Sequence, residues 1–278
     1  MAGNKALVLG GGGLAGIAWA TGVLTGLAER GVDVTDADVI IGTSAGSAVA
    51  AQLGRGPSLA ELFERQVDPA SANRELVPYG LDMAKLWEAL LETRVGVGDP
   101  NELRRRVGLL ALQNETVPES QRREVVAGRL PEHTWPERDL RITAVNTRTG
   151  EPVVFDRASG VDLVDAVAAS CAVPGVWPPV TIGAERYIDG GVRTMVNADL
   201  AEGYARILVV APLPAPPLDE EIEQLRTSSR VELIVPDENA LAAFGDNPLD
   251  PATRKPSAEA GLTQGREAAT VVGALWNG

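Results

Sequence analysis

The pattern with the clearest chemical meaning is the pentapeptide Gly42-Thr43-Ser44-Ala45-Gly46, which has the form G-x-S-x-G. It follows an apolar run at residues 39–41 and precedes an alanine-rich segment at residues 47–53, which predicts a turn between a strand and a helix. There the flanking glycines, Gly42 and Gly46, allow a sharp bend from which a serine projects as a nucleophile. Ser44 is therefore the candidate nucleophile, and the alternative is a glycine-rich turn with a helix-capping serine.

A serine nucleophile needs a base, and the sequence offers a single histidine, His133. It lies in a polar segment between Pro131 and Pro136, which predicts a surface loop. This setting argues against a Ser-His-Asp triad.

Asp189 is the better candidate base. It follows a short apolar strand and precedes Gly190 and Gly191, which let a loop approach another backbone closely. A carboxylate can deprotonate serine directly if an apolar setting raises its pKa. Otherwise, Asp189 belongs to an ordinary Asp-Gly turn.

A glycine-rich segment follows the first predicted strand and opens a helix. Its spacing, Gly11-x-Gly13-x-x-Gly16, fits a dinucleotide-binding loop, in which Asp33 or Asp36 would meet the ribose. The same backbone N–H groups could instead hold the oxygen of a tetrahedral acyl intermediate. Both interpretations stay open on this motif alone.

The elements that must position these residues alternate between strand and helix. Apolar runs predict strands at residues 6–9, 39–41, 140–145, 152–155, 207–210 and 231–235. Helical patterns fall at residues 17–30, 47–53, 161–169, 219–225 and 258–275. Because a hairpin joins the strands near residues 147–150, we expect an α/β fold with a mixed, mostly parallel sheet covered on both faces.

Four helix-like segments, at residues 59–66, 81–93, 101–112 and 119–130, interrupt this alternation. They predict a helical region at about 57–135 that either caps a site or elaborates the outer layer. We expect one domain over residues 1–278.

Composition excludes several classes of protein. The chain has 278 residues, 45% of them hydrophobic, and a formal net charge of −13, so we expect a folded protein with no nucleic-acid partner. Basic runs such as Arg122-Arg123 are predicted to lie on solvated helix faces. Any membrane-surface contact should therefore use apolar residues rather than charge.

The cysteine and histidine counts exclude further chemistry. With Cys171 and His133 as single residues of their kinds, neither an internal disulfide nor a Cys/His metal cluster can form. No apolar run is long enough to span a bilayer. We expect a cytoplasmic protein with no transmembrane segment, in which Cys171 is a buried, reduced thiol.

Together these motifs resemble those of the patatin-like phospholipases. The segment Gly11-Gly12-Gly13-Leu14-Ala15-Gly16 is similar to the family's oxyanion loop, the pentapeptide around Ser44 to its nucleophile elbow, and Asp189-Gly190-Gly191 to its D-G-[AG] element. The segment Ser170-x-Ala172-x-Pro174-Gly175 resembles the stretch that precedes the aspartate.

The resemblance implies a three-layer α/β/α fold and a serine hydrolase that cleaves acyl esters of lipids. It implies that Ser44 is the nucleophile and Asp189 the base. It also implies that the N–H groups of Gly11, Gly12 and Gly13 form the oxyanion hole, without metal or cofactor.

One position departs from the family pattern. Many members have Arg or Lys where this chain has Ala15, so a supporting positive charge is missing from the glycine-rich segment. A non-catalytic relative that binds lipid or a protein partner through the same cleft is therefore an alternative function. Trp177 is interpreted as core packing, and oligomeric state is left open.

Overall fold

A computed structural model describes residues 4–53, 56–70, 73–76, 78 and 83–278. Within these residues the chain forms eight β-strands and ten α-helices around one sheet. The strands are Lys5–Leu9 (β1), Val39–Gly42 (β2), Asp139–Asn146 (β3), Pro152–Phe155 (β4), Val180–Ile182 (β5), Glu185–Asp189 (β6), Arg206–Val210 (β7) and Arg230–Ile234 (β8).

The sheet is mixed and mostly parallel, as predicted. Its strand order is β5-β6-β3-β2-β1-β7-β8, and β4 pairs with β3 beside this path. The five neighbouring strands β3, β2, β1, β7 and β8 run parallel to one another. Strands β4 and β6 pair antiparallel with β3. The candidate nucleophile follows β2 and the candidate base is the last residue of β6, and both strands adjoin β3.

The helices agree with the sequence prediction in most of their positions. They are Gly13–Glu29 (α1), Ala45–Gln52 (α2), Leu59–Val67 (α3), Met83–Glu92 (α4), Pro100–Gln113 (α5), Glu119–Arg129 (α6), Leu163–Ser170 (α7), Leu218–Arg226 (α8), Glu238–Phe244 (α9) and Arg254–Trp276 (α10). The prediction missed α9 and β5. The predicted helix at 81–93 begins with two residues that lie outside the described ones.

Alternate residues of β1 pack against helices on opposite faces of the sheet. Leu7 and Leu9 belong to the larger apolar cluster, with residues of α1, α2, α7 and α10. Ala6 and Val8 belong to a second cluster that includes the apolar face of α8. Because successive side chains of a strand point to opposite faces, helices cover both faces of the sheet, which confirms the three-layer α/β/α fold.

The helical region between β2 and β3 is not separate from this core. Val126 of α6 lies in the larger cluster, and Val107 and Ala111 of α5 pack on Val145 and Ile188 of the sheet. No described helix has the length and apolar character needed to cross a bilayer.

Helices α1 and α10 pack at unusually close range because glycines line their contact. A Cβ atom at Gly22 would lie 2.2 Å from the Ala258 carbonyl oxygen, and one at Gly261 would lie 2.2 Å from the Trp19 carbonyl oxygen. Helix α1 also begins at the glycine-rich segment. The glycine contact with α10 therefore helps to hold the helix that carries part of the candidate site.

We expect Gly261→Ala to lower the unfolding free energy by about 1–3 kcal/mol, because the methyl group would overlap backbone that cannot move freely. Gly128→Ala is the matched control, since it lies in a helix with nothing within 4 Å of the added atom. Alanine should leave stability there unchanged or raise it by up to about 1 kcal/mol. Thermal denaturation followed by circular dichroism measures both; equal losses in the two variants would contradict the close contact.

Candidate active site

Ser44 lies on a strained turn between β2, which ends at Gly42, and α2, which begins at Ala45. Its backbone angles are φ 51° and ψ −117°, a region that residues other than glycine rarely adopt. Both neighbouring glycines are needed for this turn. A Cβ atom at Gly46 would lie 2.0 Å from the Leu9 carbonyl oxygen, and one at Gly42 would lie 2.6 Å from the Ser47 Cα. Such strain is characteristic of functional turns.

The C-terminal end of α7 fixes this turn from the side. Ser170 Oγ accepts a hydrogen bond of 2.9 Å from the Ser44 backbone N–H. Cys171 Sγ donates to the Ser44 carbonyl oxygen at 3.2 Å, and Ser47 Oγ donates to the same oxygen at 2.6 Å. Cys171 is buried, as predicted, and burial raises the pKa of its thiol. These contacts hold Ser44 in its strained conformation.

Asp189 ends β6 and is held against β3. It is opposite Ala144 in the antiparallel register, and its backbone N–H donates to the Ala172 carbonyl oxygen at 3.0 Å. A Cβ atom at Gly190 would lie 2.1 Å from Thr143 Oγ1, so glycine is required for the loop to pass this close to β3. The predicted close approach at Gly190 is present.

The Asp189 carboxyl group is buried, with 4% of the residue exposed. Its Oδ1 accepts a 2.7 Å hydrogen bond from the Gly191 N–H, whereas Oδ2 is buried without a hydrogen-bond partner among the described residues. Burial raises the pKa of Asp189 to about 7, although the nearby Ser44 hydroxyl, the Gly191 N–H and the Arg122 guanidinium each lower it. At neutral pH this carboxyl group can therefore both accept and release a proton.

Ser44 and Asp189 are thus brought together. The Ser44 hydroxyl is close enough to the Asp189 carboxyl group for their hydrogen-bonding interaction to lower the pKa of that group, while Oδ2 is buried without a partner among the described residues. This leaves Oδ2 available to receive a proton.

A buried polar network that sequence reasoning missed joins the two segments. Thr43 Oγ1 lies 2.9 Å from Thr143 Oγ1 and accepts a 3.0 Å hydrogen bond from Asn197 Nδ2. The same amide nitrogen donates to the Gly190 carbonyl oxygen at 3.3 Å. The residue before the nucleophile and the residue after the base therefore share one set of hydrogen bonds. No local sequence signal marks Asn197 for this position.

The glycine-rich segment provides fewer free donors than the sequence suggested. The Gly11 N–H donates to the Met195 carbonyl oxygen at 2.8 Å, so it is not available to a substrate oxygen. The N–H groups of Gly12 and Gly13 donate to no described backbone carbonyl, and Gly13 lines the same cavity as Ser44. Gly12 and Gly13 therefore remain as candidate donors.

Ser44 lines a cavity that is partly open to solvent. Apolar side chains form part of its wall, among them Leu14, Ile17, Val173 and Leu249. The wall also contains two arginines of α6, Arg122 and Arg129, together with Glu75.

The expectation that Arg122-Arg123 lies on a solvated face is wrong for one of the two residues. Arg122 is 4% exposed and its guanidinium carbon lies 4.0 Å from the centre of the Trp177 ring. Arg123 points outward and pairs with Asp165 at 2.5 Å. Trp177 is buried, as predicted, but it also lines the cavity.

The spacing along α6 could have revealed this buried face. Arg122, Val126 and Arg129 are four and three residues apart, which places them on one side of a helix, and all three are buried. The positive charge missing at Ala15 is therefore present in the cavity on a different element.

The residues that a Ser-His-Asp triad or a dinucleotide site would need lie away from Ser44 and the glycine-rich segment. His133 is exposed, with Nε2 3.0 Å from the Ala127 carbonyl oxygen. Asp33 accepts hydrogen bonds within its own turn from Thr35. Asp36 pairs with Lys5 at the N-terminal end of β1, whereas the glycine-rich segment follows the C-terminal end of that strand. Neither acid is positioned for a ribose bound at that segment. The described residues contain no cluster of His, Cys, Asp or Glu suited to a metal.

Fold and site define an α/β protein with a serine on a strained strand-to-helix turn facing a buried carboxyl group. The sequence model of the patatin-like phospholipases matches residues 7–202, and the chain belongs to this family. Family membership supports lipid hydrolase activity in general terms. No curated protein matches the chain.

Solved structures give only distant similarities. VipD from Legionella pneumophila is 12% identical over 96% of this chain and 67% of its own, with a TM-score of 0.47. ExoU from Pseudomonas aeruginosa, in complex with SpcU, is 18% identical over 97% of this chain, with a TM-score of 0.42. This chain spans about half of ExoU, 52%. At these scores the similarities do not indicate a substrate.

The raised pKa of Asp189 predicts an unusual dependence of stability on pH. Its carboxyl group ionises near 3.8 when unfolded and at about 7 when folded. Between these values the folded state binds more protons, so this group makes the fold less stable as pH rises toward about 7, by up to about 4 kcal/mol.

Asp189→Asn removes this penalty. We expect the variant to gain unfolding free energy relative to the wild type from about pH 4 to about pH 8, and little at the acidic end. Urea denaturation across this range measures the difference. A constant difference would show that Asp189 ionises normally in the fold.

Proposed function

We propose that the chain hydrolyses acyl ester bonds of lipids through a Ser44-Asp189 dyad. The observation that supports this most strongly is the buried Asp189 carboxyl group, with a pKa of about 7 and an unpartnered Oδ2, next to a serine on a strained turn. Membership of the patatin-like phospholipase family supports the choice of lipid esters.

In the first half-reaction, Ser44 Oγ attacks the ester carbonyl carbon while its proton moves to Asp189 Oδ2. The carbonyl oxygen becomes an oxyanion and accepts hydrogen bonds from the N–H groups of Gly12 and Gly13. When the tetrahedral intermediate collapses, the C–O bond breaks and Asp189 returns the proton to the leaving alcohol oxygen. The acyl group is then esterified to Ser44.

In the second half-reaction, water replaces the alcohol. Asp189 takes a proton from this water as its oxygen attacks the acyl carbon, and the same N–H groups stabilise the second oxyanion. Breakdown of this intermediate releases the fatty acid and returns the proton to Ser44 Oγ.

An aspartate can do this work only where its proton affinity is raised. An ordinary aspartate, with a pKa near 4, is too weak a base for a serine hydroxyl. Burial raises the pKa of Asp189 to about 7. The N-termini of α1 and α2, which begin at Gly13 and Ala45, add positive potential where the oxyanion develops.

We also infer a single catalytic domain in which the helical region at about 57–135 forms a wall of the site. Its α6 contributes Arg122 and Arg129 to the cavity and Val126 to the main core. This supports a role in shaping the cleft as well as in covering the sheet.

Ser44→Ala should abolish labelling by a fluorophosphonate probe, because the probe needs an activated serine hydroxyl. Labelling is measured by in-gel fluorescence on folded protein. His133→Ala is the control and should label at the wild-type rate, since His133 is exposed and bonded to the Ala127 carbonyl. Labelling that survives Ser44→Ala would exclude Ser44 as the nucleophile, and loss of labelling in His133→Ala would favour a triad.

Asp189→Asn should lower kcat/KM for a soluble 4-nitrophenyl ester by about a thousandfold or more, because it removes the base but leaves the turn in place. In the wild type, kcat/KM should rise with pH and level off above an apparent pKa of about 7, the value of the Asp189 carboxyl group. Initial rates across the pH range measure both. A flat profile through neutral pH would contradict Asp189 as the base.

A further inference from the structure

Arg122 presents a buried, positively charged guanidinium group, two of whose nitrogen atoms have no hydrogen-bond partner among the described residues. Its Nε and Nη1 atoms are shielded from water and make no hydrogen bond to the described residues. One face of the guanidinium lies 4.0 Å from the centre of the Trp177 ring. Buried guanidinium groups normally find acceptors for their N–H donors, so this arrangement calls for a functional explanation.

The two other arginines of α6 both have partners for their guanidinium groups. Arg129 is equally buried, but its Nε and Nη2 donate to the Glu75 carboxylate at 2.9 and 2.5 Å. Arg123 is largely solvated and pairs with Asp165. Because Glu75 is already used by Arg129, Arg122 is left with donors and no carboxylate bonded to them.

Arg122 is charged at neutral pH, although burial and the neighbouring Arg129 lower its pKa to about 9. The Trp177 ring offsets only part of the cost of burying this charge. The residue faces the cavity that contains Ser44, and its charge acts on Asp189. An anionic group that enters this cavity would face the Arg122 charge.

We propose that Arg122 determines substrate specificity by binding the phosphate of a phosphoglyceride whose neighbouring acyl ester is attacked by Ser44. The proposal rests on the proposed function. In a phosphoglyceride the phosphate lies a few covalent bonds from the acyl ester, so one molecule can reach both residues in one cavity. The phosphate oxygens accept from Arg122, and these charge-assisted hydrogen bonds favour phosphoglycerides over neutral glycerides.

The test compares two soluble substrates with the same acyl chains, dihexanoylphosphatidylcholine and dihexanoylglycerol, below their micelle concentrations. Monomeric substrates remove effects of a charged interface. Arg122→Gln should lower kcat/KM for the phosphatidylcholine, relative to that for dihexanoylglycerol, by about tenfold or more, mainly through KM.

Arg123→Gln is the matched control, since it removes the same charge from the adjacent position of the same helix and should leave the ratio of the two activities unchanged. Arg122→Lys should restore part of the preference. An unchanged ratio in Arg122→Gln would overturn the proposal. The ratio also separates specificity from any change in the pKa of Asp189, which would affect both substrates alike.

A second arm uses the wild type, so it does not depend on the folding of a variant. Glycerophosphocholine should inhibit hydrolysis of 4-nitrophenyl butyrate competitively, whereas glycerol should not. Inorganic phosphate that inhibits as strongly as glycerophosphocholine, without a preference for the phosphatidylcholine, would identify a free-phosphate site and overturn the proposal.

The two hypotheses fail differently. If the wild type hydrolyses neither ester, or if hydrolysis survives Ser44→Ala, the proposed function fails. If both esters are hydrolysed in a Ser44-dependent way but neither Arg122→Gln nor glycerophosphocholine distinguishes them, only the role of Arg122 fails.

Discussion

The burial of one carboxyl group governs the chemistry available to this site. Asp189 is withdrawn from water at the end of β6, and its Oδ2 has no hydrogen-bond partner in the part of the chain that the structure describes. Ionising a carboxyl group in such a place is costly, which is why its pKa rises to about 7. In the proposed mechanism, the turn at Ser44, the N–H groups of Gly12 and Gly13 and the surrounding apolar wall can act only because a base of this strength lies beside them.

Close backbone contacts in the sheet hold Ser44 beside the buried Asp189 carboxyl group. The turn after β2 passes against the end of β1, and the loop after β6 passes against β3, each where a glycine leaves room. Thr43, Thr143 and Asn197 then connect the two segments by hydrogen bonds among buried groups. A satisfied buried network resists displacement, so the candidate nucleophile and the candidate base are held by the same rigid part of the fold.

The two buried arginines of α6 differ in whether their charge is neutralised by a carboxylate. Arg129 and Glu75 neutralise each other, whereas Arg122 keeps its charge next to Trp177 and close enough to Asp189 to lower the pKa of that carboxyl group. The cavity therefore combines an apolar wall with a localised positive charge. In a chain with a formal net charge of −13, this local charge is opposite in sign to that of the whole molecule. Net charge thus indicated little about what the cleft can bind.

Sequence alone determined the alternation of strands and helices, the turn at Ser44 and the family, because these features depend on local periodicity and on glycine at particular positions. It also favoured Asp189 over His133 as the base, which stays a prediction. It did not determine that the Gly11 N–H donates to the Met195 carbonyl oxygen, that Asn197 joins the segments of Ser44 and Asp189, or that Arg122 is buried while Arg123 is not. The short helix α9 and strand β5 were not predicted, because each is too short to show a clear hydrophobic periodicity. Burial and hydrogen-bond partners are set by residues distant in the chain, and only the packed tertiary structure decides which polar groups lose water and which find a partner.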